Sequence, residues 1–213
     1  MNIFFKQIIP HPLKETINPK SDIWNTNCEF NFGKSYIINA TSGKGKTTFT
    51  HLLCGFRNDF SGTLEINGKD AKSFTFQDWS DWRFPKASFV FQDLQLFPQL
   101  SVEENIKLHL KLGTNVSLEK AKSWLAFLGI GEKWQQKCGT LSMGQQQRLA
   151  IVRALLPSYK WLILDEPFSH LDKENTLKAM QLIQERTEEN KAGFILLALD
   201  PQPEFQANFH LQL

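Results

Sequence analysis

The sequence predicts an α/β fold with an all-helical insert, and three observations carry that prediction. The runs WLILD at 161–165 and FILLAL at 194–199 are continuously apolar, as expected of parallel strands buried on both faces. A glycine-rich stretch, ATSGKGKTT, stands between a strand pattern and a helix pattern. From about 93 to 141, β-branched runs are few and the apolar spacing turns helical. Strand, loop, helix, later strand, helix, strand is an α/β order.

The elements follow in sequence. KSYIIN at 34–39 reads as a short strand that runs into the glycine-rich loop. TTFTHLLCG then has helical spacing through Phe49, Leu52 and Leu53, with a stop at Gly55. SGTLEING at 61–68 reads as a strand ending in a hairpin turn at Asn67-Gly68, and ASFVFQ at 87–92 as another strand. Helices are expected near 101–112 and 117–129, the first opened by a Ser101/Glu104 capping box. A further helix runs from Ser142 to about Leu156, and another covers 173–189 between the two apolar strands.

Composition narrows the class. The 213 residues suit one domain spanning 1–213, with 93–141 as its helical subdomain. A formal charge of +2 argues against a protein that grips nucleic acid through its phosphates, so no nucleic acid is expected. Cys28, Cys54 and Cys138 are odd in number and form no CxxC pair, which offers neither a disulfide framework nor a zinc site. The longest apolar runs fall far short of a bilayer span, and MNIFFKQIIPHP lacks the pattern of a signal peptide, so a cytoplasmic location is expected.

The loop at 40–48 carries the first chemistry. Glycines let successive backbone N–H groups point inward as an anion nest, and the helix N-terminus adds partial positive charge. Lys46 would reach the β- and γ-phosphates and the Thr47 hydroxyl would ligate Mg²⁺, while Ser42, Gly43, Lys44, Gly45 and Thr48 complete the cradle. The full pattern is GxxxxGK[ST]; here Ala40 replaces its first glycine and would resist a positive φ at that position. A glycine- and lysine-rich surface turn is the other reading of this segment alone.

WLILDEP ends a buried strand with two carboxylates, where α/β sheets place their ligands. Asp165 has the place of a Mg²⁺-orienting residue, and Glu166 is placed to polarise a water for in-line attack on the γ-phosphate. Taken alone, such a pair is more often just a strand leaving the core. Coupled to the phosphate loop, it reads as a hydrolytic site.

LSMGQQQRLAIVRALL is the most informative stretch, because Ser142 and Gln145 form a capping box that leaves the first N–H groups of a helix available to a phosphate oxygen. It resembles the LSGGQ signature of ATP-binding cassette (ABC) proteins. ATSGKGKTT then looks like the family's Walker A, VFQDLQLFPQLSVEENI like its Q-loop segment with Gln92 as the glutamine, WLILDEP like its Walker B, and SHLD at 169–172 like its D-loop. These motifs come in the family's order across roughly 30 to 210.

That resemblance implies an ABC-type ATPase: a P-loop core with a RecA-like parallel sheet, an antiparallel β subdomain and an inserted helical subdomain. It implies a head-to-tail dimer, homo- or heteromeric, that sandwiches ATP and Mg²⁺ and serves a transmembrane transporter subunit from the inner face of the membrane. Glu166, Gln92 and Lys46 take the catalytic positions; Thr47, Gln92 and Asp165 take the metal positions. Ser142, Gly144 and Gln145 would meet the nucleotide bound to the partner. Residues 93–105 would help form the groove that receives a cytoplasmic helix of the membrane protein, although the apolar members Leu94, Leu96, Phe97 and Leu100 could equally be core of the helical lobe.

Three departures from the family bear on mechanism. Its last core strand usually ends in Thr-His-Asp, whereas Ala198, Leu199 and Asp200 stand here, so the histidine contact to the γ-phosphate is absent. His170, in the D-loop, is the nearest histidine by motif. Met143 replaces the first glycine of the signature. No aromatic residue stands near Thr16, where the family stacks a ring on adenine; His11 is the only ring, proline apart, between Phe5 and Trp24. Slow turnover is expected. The competing functions are a regulatory module that binds ATP with little hydrolysis, motivated by Leu199 and Ala40, and a soluble ABC protein of DNA repair or translation, opposed by the lack of a long insert or second cassette.

Overall fold

The computed structural model describes residues 1–41, 43–111, 114–199 and 206–213. The chain runs β1 (Ile3–Pro10), β2 (Asn27–Phe30), β3 (Ser35–Asn39), α1 (Lys46–Cys54), β4 (Phe60–Ile66), β5 (Lys69–Asp70), α2 (Phe76–Asp81) and β6 (Ala87–Val90). It continues through α3 (Val102–Leu110), α4 (Leu118–Phe127), α5 (Met143–Leu155), β7 (Trp161–Asp165), α6 (Lys173–Glu189), β8 (Gly193–Ala198) and β9 (Phe209–Gln212). Among the described residues no helix is long and apolar enough to cross a membrane.

The core sheet is parallel, in the order β6-β7-β8-β3-β9, and a separate antiparallel sheet has the order β2-β1-β4-β5. WLILD and FILLA alternate between two apolar clusters, which is why they read as unbroken hydrophobic runs. Leu162, Leu164, Phe194 and Leu196 face α3 to α6, whereas Trp161, Ile163, Ile195 and Leu197 face α1 and the antiparallel sheet. On that second side Phe49 of α1 stacks on Phe5 with centroids 5.1 Å apart and meets Phe30 and Trp24 edge-on. Helix α1, and with it the phosphate loop, is thereby pinned between the two sheets.

The expected elements form with trimmed ends. The Ser101/Glu104 and Ser142/Gln145 capping boxes are both closed, and Gly55 caps α1 in the left-handed region at φ 76°. Asn67 (φ 54°) and Gly68 (φ 78°) make the expected hairpin turn between β4 and β5. The strand read to Gln92 stops at Val90, since Leu94 and Gln95 both adopt positive φ and turn the chain away. Strands β1, β2 and β9 and helix α2 had no counterpart among the elements expected from sequence. In β1 the alternation breaks at a bulge, where Gln7 has φ 49° and the register slips between Lys6 and Ile9. Gly62 packs on that bulge against the Gln7 carbonyl, with no room for a Cβ.

The helical side carries a pH-sensitive group. In α3, His109 has a buried Nδ1 with no hydrogen-bond partner among the described residues. Burial, and then the charge of Arg153, lower its pKa from 6.5 to about 4. The unfolded chain therefore binds the proton first on acidification. The stability contribution is complete above pH 6.5 and is lost as the pH falls through about 4. In thermal melts from about pH 7 to about pH 5, His109→Gln should lose less of its melting temperature than the wild type. Parallel declines would refute the assignment.

Candidate active site

The phosphate loop leaves β3 beside the end of β8, and the Ala40 N–H donates to the Ala198 carbonyl at 3.1 Å. Gly43 and Gly45 turn the loop with φ of 78° and 102°, and α1 begins at Lys46. At Gly45 a Cβ would lie 2.5 Å from Leu13 Cδ1 and 3.2 Å from Trp24 Nε1, so only glycine fits. The Trp24 indole donates to the Lys44 carbonyl at 3.2 Å, and Lys44 Nζ donates to the Thr16 carbonyl at 3.2 Å. Residues 13–24 thus brace the loop from outside. Thr47 and Thr48 follow Lys46 in the first turn of α1, whose amides have no intrahelical partner by helix geometry. Ser42 lies outside the described residues. Ala40 needs no positive φ; it is buried, and its carbonyl accepts from Lys46 Nζ at 2.7 Å, so the expected conflict at this position does not arise.

Lys46 is 5% exposed, and its ammonium also reaches the Thr41 carbonyl at 3.3 Å and Glu166 Oε1 at 3.2 Å. A buried cation needs such acceptors, and these hold the lysine tip at the mouth of the loop. Glu166 itself sits at φ 50°, a conformation uncommon outside glycine, with its N–H bonded to the Leu197 carbonyl at 3.0 Å. The loop and Glu166 are therefore fastened to consecutive carbonyls of β8, those of Ala198 and Leu197.

Beside them, a cavity of about 350 Å³ is lined by Thr47, His51, Phe91, Gln92, Asp93 and Asp165. The Thr47 hydroxyl donates to Gln92 Oε1 at 3.2 Å. Asp165 is 1% exposed, and neither carboxylate oxygen has a hydrogen-bond partner among the described residues. Burial pushes its pKa up to about 6, opposed by the nearby Thr47 hydroxyl and reinforced by the Glu166 charge. Two orphaned carboxylate oxygens, a hydroxyl and a carboxamide oxygen are hard donors of the kind that suit a magnesium ion, and the cavity fits that group.

Helix α5 approaches from the other side. Ser142 Oγ accepts from the Gln145 N–H at 3.3 Å, and Gln145 Oε1 accepts from the Ser142 N–H at 2.9 Å. At Gly144 a Cβ would lie 2.6 Å from the His170 carbonyl oxygen, so the glycine lets α5 close on the 169–170 turn. Met143 is 48% exposed.

Leu199 follows β8 and is 44% exposed, lining a pocket of about 330 Å³ with Glu166, Phe168, Leu171 and Thr176. Asp200 lies outside the described residues. His170 is exposed and sits 3.0 Å from Ser169 Oγ through Nδ1, outside the lining of the Leu199 pocket. His11 is exposed, its Nε2 3.4 Å from Ser61 Oγ, while Leu13 is the side chain that touches the loop at Gly45. Leu13, Trp24 and Gln147 received no role from sequence. Their only signal was position, before the loop or within the signature stretch. Of the segment 93–105, Leu94 is buried, Leu96 and Leu100 are half-buried and Phe97 is 48% exposed.

A glycine loop capping a helix, with a lysine and two strand-end carboxylates around it, defines a P-loop nucleotide hydrolase. The ABC transporter family model matches residues 23–169. The chain belongs to the ABC transporter family, as its ATP-binding, ATP-hydrolysing cassette. It is 33% identical over 173 residues to the ABC transporter ATP-binding protein YtrE of Bacillus subtilis (strain 168), covering 80% of this chain and 75% of the relative. It is 32% identical over 180 residues to the lipoprotein-releasing system ATP-binding protein LolD of Buchnera aphidicola subsp. Acyrthosiphon pisum, covering 83% and 79%. The macrolide export ATP-binding/permease protein MacB of Aggregatibacter actinomycetemcomitans is 34% identical over 160 residues, and there the match covers 74% of this chain but only 25% of the relative. Among solved structures, the dimeric MJ0796 bacterial ABC transporter cassette superposes with a TM-score of 0.80 at 25% identity, covering 100% of this chain and 94% of that one.

Proposed function

We propose that this chain powers a membrane transporter as its ATPase subunit, working in an ATP-sandwich dimer with Glu166 as general base. The observation that carries this reading is the Lys46–Glu166 pair at 3.2 Å, which puts the phosphate-seeking cation and the base at one mouth. On this reading the γ-phosphate enters between Lys46 and the first turn of α1. Thr47, Gln92 and Asp165 would hold Mg²⁺, which when bound would supply positive charge to offset that of the phosphates. The water oxygen bonds to the γ-phosphorus as Glu166 accepts its proton, the bond from the γ-phosphorus to the bridging oxygen breaks, and ADP and inorganic phosphate are the products. Ser142, Gly144 and Gln145 present the start of α5 to the nucleotide of the partner subunit. A solved post-hydrolysis MJ0796 cassette, described as dimeric and bound to ADP and Pi, supports this arrangement at a TM-score of 0.73 and 26% identity.

Lys46→Ala should weaken ATP binding by at least about tenfold, because a charge-assisted contact is worth about 1.5–3 kcal/mol. Unchanged affinity in a titration would sink the assignment of the loop.

The transporter side of the reading rests on a groove of about 360 Å³ between the core sheet and the helices, lined by Arg83, Phe84, Phe89, Phe91, Phe97 and His109 among others. Phe89 and Phe91 stack along it with centroids 5.6 Å apart, and Phe56 stacks on Phe91 at 5.7 Å. Phe91 immediately precedes Gln92, so a helix seated there has a short path to the magnesium cavity. Co-purification from detergent-solubilised membranes tests this: the wild type should carry a multi-span membrane protein, and Phe97→Asp should lose it while still binding ATP. A second reading, an ATP-binding regulatory module with little hydrolysis, is favoured by Leu199 alone. A steady-state ATPase assay on the co-purified complex separates the two.

A further inference from the structure

Gln147 is 2% exposed on α5, the helix that Ser142 opens, and its carboxamide is spent entirely on the neighbouring catalytic turn. Its Nε2 donates to the Glu166 carbonyl at 3.0 Å and to Ser169 Oγ at 3.0 Å, while its Oε1 accepts from the His170 N–H at 2.9 Å. Glu166 is the residue held at φ 50°. An uncommon backbone conformation persists only where its surroundings over-determine it. Three bonds do so here: the Glu166 N–H to the Leu197 carbonyl, and the Ser169 N–H at 3.3 Å and the Gln147 carboxamide, both to the Glu166 carbonyl. The contact is tight on both sides, since Gly144 lies one turn earlier against the His170 carbonyl. Arg148, next along, fixes α5 to its surroundings through the Leu128 carbonyl and Asn175 Oδ1 at 2.7 and 3.0 Å.

We propose that Gln147 is a positioning residue for Glu166, tying the helix that begins at Ser142 to the main chain of the base and to the 169–170 turn. This rests on the reading of Glu166 as the base. The consequence is a coupling within one chain. Whatever seats the N-terminus of α5, which faces the nucleotide of the partner subunit on that reading, also sets the carboxylate that acts on the chain's own nucleotide. Gln147 touches no reacting atom, so its removal should leave ATP affinity intact and lower the rate of the chemical step.

The experiment uses the full chain with ATP and Mg²⁺, in steady-state and single-turnover assays alongside nucleotide titration. Gln147→Leu should lower turnover by about tenfold or more, because a small misplacement of a catalytic group costs up to about 10²-fold. ATP affinity should stay within about twofold, the pattern of an interaction that matters only in the transition state. Gln147→Glu keeps the acceptor for the His170 N–H and loses the donor to the Glu166 carbonyl. It should reproduce the rate loss even if the leucine variant fails to fold. The decisive readout is the double variant: with Glu166→Gln already present, Gln147→Glu should add less than about a twofold loss in single-turnover rate, since both act through one group. A full additional loss, or near-wild-type turnover of folded Gln147→Glu, would overturn the proposal. If Glu166→Gln alone leaves turnover unchanged, the base assignment falls first and the proposal with it. If it abolishes turnover while the Gln147 variants do not, this inference alone fails.

Discussion

Glu166→Gln should lower turnover by about 10²–10³-fold, within the range that general bases contribute, and in ATP and Mg²⁺ it should convert the chain into a lasting dimer. Glutamine keeps the size and shape of the side chain and its capacity to accept from Lys46, which lies 3.2 Å away. It loses the ability to take a proton from water. The substitution also leaves the main chain alone, so the bonds from Glu166 to the Leu197 carbonyl and from Gln147 to the Glu166 carbonyl persist. Binding and hydrolysis are thereby separated. Size-exclusion chromatography should show the nucleotide-free protein mainly as a monomer and the ATP-loaded variant as a dimer. A variant that stays monomeric with ATP at tens of micromolar would mean that the second cassette is a different chain, or that the Ser142 end of α5 does not engage nucleotide. A variant that turns over normally would remove Glu166 from the mechanism.

Much of the fold was legible because burial and period agree along it. WLILD and FILLA carry side chains into two apolar clusters at once, and a run buried on both faces has no polar interruptions to mislead. The capping boxes at Ser101 and Ser142 were legible for a different reason, since each is a local arrangement whose partners lie three residues apart. Strand β1 was not, because the bulge at Gln7 destroys its alternation and its pairing partners, β2 and β4, are remote in sequence. The site divides similarly. Lys46, Thr47, Gln92, Asp165 and Glu166 announce themselves by motif, and the fold brings them together. Pattern alone does not say whether position 40 needs a left-handed backbone: the loop takes its left-handed turns at Gly43 and Gly45, and Ala40 contributes a carbonyl to Lys46. Leu13, Trp24 and Gln147 act through tertiary contacts to backbone carbonyls or a glycine, for which no sequence spacing exists.

Leu199→His should raise turnover by about tenfold or more with little change in ATP affinity, because a missing donor near a transition-state charge costs about 10²–10³-fold. The resemblance to the family gives this position to a histidine, and the neighbouring carbonyls are those that anchor the site. The Leu197 carbonyl holds the Glu166 N–H, the Ala198 carbonyl holds the Ala40 N–H, and Leu199 emerges next, sharing a pocket with Glu166. A leucine there offers only an apolar side chain, 44% exposed. Histidine would bring a ring nitrogen to the same mouth, and the gain shrinks if the ring takes the wrong rotamer or tautomer beside Phe168 and Thr176. His170 is poorly placed to substitute for it, since its Nδ1 is turned to Ser169 Oγ and the residue lies outside that pocket's lining. Brisk wild-type hydrolysis that Glu166→Gln abolishes would show that another group already does this work, with His170→Ala the first variant to measure. No gain from Leu199→His would move the limit elsewhere. Ala40 is removed from suspicion by its ordinary backbone, which leaves the exposed Met143 at the start of α5, or the need for the membrane subunit in the aromatic groove, as what holds turnover down.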